Sequence, residues 1–156
     1  MGYPFLLIAL LDGVTKGYCS KKTSGHTKTV RDAHHDHIEC VKYFDQAHVY
    51  IQKEEYPKGK RYIPEHYPVF LFDEECRITD DIRCIKIGGH TIGSSIVEVK
   101  WDDRVYVLCG DECYTRDNFR KRIATGNSFC KEKSEQFARK YSGEQYVCLL
   151  CHDNSL

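Results

Sequence analysis

The chain has 156 residues, 41% of them apolar and 29% charged, which is the make-up of one ordinary globular domain large enough to bury a core. Its formal net charge is zero, which sets aside nucleic acid and anionic membranes as main partners, since both reward a basic surface. Nine cysteines, an odd number without framework spacing, argue against a disulfide scaffold and for reduced thiols in a cytoplasmic protein.

The first apolar run, Phe5 to Leu11, is too short to span a bilayer and lacks a basic flank. It reads as a buried strand turning at Asp12-Gly13 rather than as a signal peptide. A polar loop with Gly13, Gly17 and Gly25 follows, then a short strand at 27–31. Next comes Asp32-Ala33-His34-His35-Asp36-His37, three imidazoles and two carboxylates in six residues. Few folds use that density except to hold metal. Ile38, Val41 and Phe44 recur at helical spacing, so a helix over 37–46 opens directly from the cluster.

His48 to Ile51 reads as a buried strand. Residues 54–68, with Pro57, Pro64, Pro68 and Gly59, read as an irregular excursion. Strands are expected at 69–72, 82–87, 95–101 and 105–109, the last two joined in a hairpin at Asp102-Asp103. Thr115 can cap a helix carrying Asp117 in its first turn. A second helix is expected over 128–141, with Cys130, Ser134, Phe137, Ala138 and Tyr141 on its apolar face. A final strand, 145–150, delivers Cys151-His152-Asp153. The pair Cys148-x-x-Cys151 reads as the end of that strand, with cysteine packing as a small hydrophobe rather than as a redox or zinc motif. Clustered strands flanked by helices make a layered α/β sandwich the expected architecture.

Three more candidate ligands each stand just past a strand. His90 follows Gly88-Gly89, Asp111 follows Gly110, and His152 follows the final strand. Strand ends on one edge of a sheet can converge, and a neighbouring glycine lets backbone approach closely. Taken singly, a loop histidine or a Gly-Asp turn means little. The ordered set of cluster, Gly-His, Gly-Asp and His-Asp means more.

At this point the sequence resembles the metallo-β-lactamase superfamily. That family carries H-x-H-x-D-H, then a histidine in G-H-T-x-G, then an aspartate in G-D that bridges two metals, then a last histidine. The matching stretches here are D-A-H-H-D-H, G-G-H-T-I-G-S-S, C-G-D-E-C-Y and L-L-C-H-D. The run G-D-E-C-Y-T-R-D-N-F from Gly110, and H-V-Y-I-Q-K-E-E-Y from His48, are similar to N-acyl-homoserine lactonases. The resemblance covers residues 31–156 of a single domain, 1–156, whose first 30 residues diverge. It implies a four-layer αβ/βα sandwich and two divalent metal ions, most simply zinc. Asp32, His34 and His90 would hold one metal, Asp36, His37 and His152 the other, and Asp111 would bridge them. Tyr114 matches a tyrosine that contacts the substrate carbonyl. The implied reaction is attack on an ester or lactone carbonyl, as in an acyl-homoserine lactone, by a metal-bound hydroxide. Thioester hydrolysis on the same fold is the alternative. The expected partner is a small-molecule ester or lactone, with no nucleic acid and no membrane.

Two departures stand out. Asp32 occupies the place of the family's first histidine. Carboxylate is a legitimate zinc ligand, but a harder one that shifts preference toward iron or manganese. Alternatively Asp32 is no ligand and the chain is an impaired metal-binding remnant. Second, only 31 residues precede the cluster. Much of the N-terminal half-sheet is therefore expected to be missing, and the unpaired edges would favour a homodimer. Of the other polar groups, His26, His35, His48 and His66 read as ordinary, and Asp153 as solvated.

Overall fold

The computed structural model describes residues 28–31 and 48–153. The expected strand at 5–11 and helix at 37–46 lie outside these residues, as does the cluster from Asp32 to His37. Two compact units divide between Phe72 and Asp73.

In the first unit β1 (Lys28–Arg31), β2 (His48–Gln52) and β3 (Val69–Phe72) form a parallel sheet in that order. Thr29 lies opposite Val49, and Val49 opposite Val69. Parallel neighbours need a crossover rather than a tight turn. Residues 53–68 make it, and they are less irregular than their prolines suggest. A helical turn, α1 (Tyr56–Gly59), carries Pro57 in its first turn, where a missing N–H costs nothing. A 3-10 turn, Lys60–Tyr62, follows. Ile63 and Tyr67 then pack on Val49 and Ile51 of the central strand.

In the second unit β4 (Glu75–Arg77), β5 (Ile82–Lys86), β6 (Ser95–Trp101), β7 (Arg104–Leu108) and β8 (Tyr146–Leu149) form one sheet in chain order. Each pair is antiparallel except β7–β8, which is parallel. Strand β4 was not expected. Its Glu-Cys-Arg sequence has no apolar run, as suits an edge strand that resists further pairing. Asp102 makes the β6–β7 turn with φ 52°, a left-handed conformation that aspartate tolerates.

Helices α2 (Arg116–Lys121) and α3 (Lys131–Lys140) carry the chain from β7 back to β8. Thr115 caps α2, its hydroxyl accepting from Asn118 N–H at 3.2 Å. Phe137 and Tyr141 pack against Ile96, Val107, Cys109 and Cys113 as the core of this unit. Helix α3 starts three residues later than its apolar spacing suggests. Cys130 is extended, φ −136° and ψ 99°, and stands as the N-cap, while the N–H groups of Phe129 and Cys130 donate to the carbonyls of His90 and Gly89 and lay this segment along that loop.

One buried charge ties helix to sheet. Glu98, inside the apolar run of β6, accepts from Tyr141 Oη at 2.6 Å and from Arg83 Nε at 2.7 Å. Among the described residues no helix is long and apolar enough to cross a membrane.

Candidate metal centre

Directions in the second sheet decide what meets at its edge. Strands β5 and β7 are each antiparallel to β6, so they run the same way, and β8 runs parallel to β7. The C-terminal ends of β5, β7 and β8 therefore share one edge. The Gly88-Gly89-His90 loop, the Gly110-Asp111 turn and the Cys151-His152 turn all leave from there.

Asp111 sits at the centre, 5% exposed. Its two carboxylate oxygens face different imidazoles. His90 Nε2 lies 3.4 Å from Oδ2, and His152 Nε2 lies 3.1 Å from Oδ1. His90 is buried, while His152 is open to solvent. The ring of Tyr114 lies against both histidines, with centroid separations of 4.5 Å to His152 and 5.9 Å to His90. Four of the residues picked from the sequence, His90, Asp111, Tyr114 and His152, are thus brought together. Asp32, His34, Asp36 and His37 lie outside the described residues.

The His90 loop is held from below by a side chain that sequence reading passed over. Glu112, buried beside Asp111, accepts from the N–H groups of Gly89 and His90 at 3.1 and 3.2 Å. The Ser94 hydroxyl donates to the same oxygen, and Ser134 Oγ to the other at 3.3 Å. Burial pushes this carboxyl above its usual range, against the pull of its four donors. The glycines fit the same contact. Gly88 has φ +71°, and a side chain on Gly89 would run into Glu112 and Ser134, meeting the Ser134 nitrogen at 2.8 Å. A glutamate between the cysteines of C-G-D-E-C, just past an apolar strand, was the available signal.

Two further residues depart from expectation. Asp153 is not solvated: its Oδ2 accepts from Arg116 N–H at 2.7 Å, at the positive end of α2. Cys151 does not pack as a hydrophobe. Its Sγ lies 3.0 Å from the Gly110 carbonyl and 3.5 Å from Asp111 Oδ1. Cys148 does pack against the core. Burial raises the thiol of Cys113 to about 12 and that of Cys109 well above its ordinary value, which leaves both as inert core groups.

Solved structures share this architecture. A probable metal-dependent hydrolase from Staphylococcus aureus matches 81% of the chain over 54% of its own length, at 19% identity and a TM-score of 0.68. B. thuringiensis AiiA, a mutant with N-decanoyl-L-homoserine bound at its active site, matches 81% of the chain over 56% of its own, at 17% identity and a TM-score of 0.67. The hydrolase AbOPH, of the beta lactamase superfamily, matches 82% over 57%, at 17% identity and a TM-score of 0.60. The chain has a metallo-β-lactamase-like, lactonase-like fold. It spans a little over half the length of these structures. No protein-family model and no curated protein matches the chain.

Within a metallo-β-lactamase-like fold the chemistry of these donors can be weighed directly. Ligand atoms of Asp111, Cys151 and His152 all lie within 4.8 Å of one another. Imidazole, carboxylate and thiol together suit a borderline divalent ion such as zinc, whereas magnesium or calcium would call for oxygen alone. The residues present fit a divalent metal.

Proposed function

We propose that the chain is a metal-dependent hydrolase that cleaves an ester or lactone of the acyl-homoserine-lactone kind. The observation that carries this reading is the position of Asp111, one carboxylate with each oxygen turned to a different imidazole. That is the arrangement a bridge between two ions requires. By the motif resemblance, Asp32 and His34 would complete the ligand set of His90, and Asp36 and His37 that of His152. When bound, two divalent ions polarise a carbonyl and bring the pKa of water toward neutrality.

The chain's own groups supply the rest. Asp111 and the two histidines hold the charge in place, and Glu112 fixes the loop on which His90 stands. Tyr114 offers a phenol O–H to the oxygen of the carbonyl under attack, where negative charge develops. Two exposed apolar residues, Ile92 and Phe129, lie close in chain and backbone contact to His90, and they suit an apolar acyl group.

The test is hydrolysis of acyl lactones of graded chain length by the purified chain supplied with zinc. Ring opening is expected in the wild type and at background in Asp111→Asn. Tyr114→Phe is expected to lower kcat by about 100-fold. Hydrolysis that survives Asp111→Asn would sink the mechanism.

A further inference from the structure

We propose that Cys151 is a metal ligand, so that this centre binds through oxygen, sulfur and nitrogen from Asp111, Cys151 and His152. The inference rests on the metal-centre reading above and adds a ligand that neither the motif pattern nor its resemblance supplies.

Strand pairing puts the thiol there. Cys109 N–H donates to the Leu149 carbonyl at 3.1 Å, which locks the end of β8 beside the end of β7. Asp111 is two residues past that lock on one side, and Cys151 two past it on the other. The left-handed turn at Gly110, φ +51°, brings its carbonyl within 3.0 Å of Cys151 Sγ. The sulfur is thus delivered to a polar position over the carboxylate.

The spacing is that of a coordination shell. A tetrahedral zinc ion, with bonds of roughly 2.3 Å to sulfur and 2.0 Å to oxygen and nitrogen, holds its sulfur and oxygen about 3.5 Å apart and its nitrogen and oxygen about 3.3 Å apart. Here Cys151 Sγ is 3.5 Å and His152 Nε2 3.1 Å from the same oxygen, Asp111 Oδ1. The three ligand atoms all lie within 4.8 Å of one another, close enough for one ion to be shared among them. On binding, the S–H bond breaks, its proton passes to solvent buffer, and a sulfur–metal bond forms; the thiol's contact with the Gly110 carbonyl is given up in exchange. The consequence is selectivity: a thiolate favours zinc, cobalt or cadmium over magnesium, calcium or manganese.

Cobalt(II) added to the full metal-free chain provides the test. Wild type is expected to develop visible ligand-field bands together with a near-ultraviolet thiolate-to-cobalt band. In Cys151→Ser the near-ultraviolet band is lost and the visible bands remain, while Cys148→Ser keeps both. A near-ultraviolet band that survives Cys151→Ser, or cobalt bound by wild type without that band, overturns the proposal and leaves the metal centre standing. No cobalt bound by wild type overturns both. Should Cys151→Ser not fold, alkylation of the wild type by iodoacetamide decides, with sites mapped by mass spectrometry. Zinc is expected to protect Cys151 and leave the labelling of Cys130 unchanged. Equal labelling of Cys151 with and without zinc refutes the assignment.

Discussion

A buried carboxylate with four donors is a structural commitment, and Glu112 makes it next to the residue that carries the chemistry. Asp111 and Glu112 are neighbours in one 3-10 turn, yet one faces two imidazoles and the other two backbone N–H groups and two hydroxyls. Replacing Glu112 by alanine strands those donors in a buried place, and we expect a loss of at least about 3 kcal/mol in denaturant unfolding. Glu112→Gln keeps an acceptor for Gly89, His90 and Ser94 and turns an amide donor toward the Ser134 hydroxyl. It should stay within about 1.5 kcal/mol of wild type. If the alanine variant unfolds like wild type, Glu112 does not hold the His90 loop.

At the scale of elements, Glu98 links β6 to the end of α3 and to β5 through Tyr141 and Arg83. Burial first, and then its bond to Glu98, push the Tyr141 phenol above its ordinary value. The folded protein therefore holds this proton more tightly than the unfolded chain does. Its contribution is complete below the unfolded value, about pH 10, and is lost as pH rises from there through the folded value. Tyr141→Phe is expected to cost about 1–3 kcal/mol at neutral pH and to remove that share of the alkaline decline. Unfolding curves at pH 8 and above pH 10 would show both effects, and an unchanged alkaline slope would contradict this role. Most strands were legible because their apolar runs are bounded by glycine, proline or paired aspartates. Edge strand β4 was not, having no run to read. Helix α3 was over-read because periodicity cannot show that Cys130 is extended and that its segment lies along the His90 loop. The same limit hid Cys151: spacing within Cys148-x-x-Cys151 says nothing of which cysteine turns toward Asp111.

At the scale of the molecule, the likeness to solved hydrolases concerns the fold, and the centre gives it chemical content. The strand order of the second unit puts three loops that carry candidate ligands at one edge, which is why His90, Asp111 and His152 meet despite lying far apart in sequence. A ligand that binds only the folded state stabilises it by mass action. Zinc at 100 times its dissociation constant should therefore raise stability by about 2.7 kcal/mol, and a chelator should reverse this. A melting temperature indifferent to both would count against a built metal site. The most direct measurement is the metal content of the zinc-equilibrated chain, by elemental analysis, in wild type and in Asp111→Asn. Two zinc ions per chain are expected in wild type and fewer than one in the variant. An Asp111→Asn protein that is folded and holds as much zinc as wild type would contradict it.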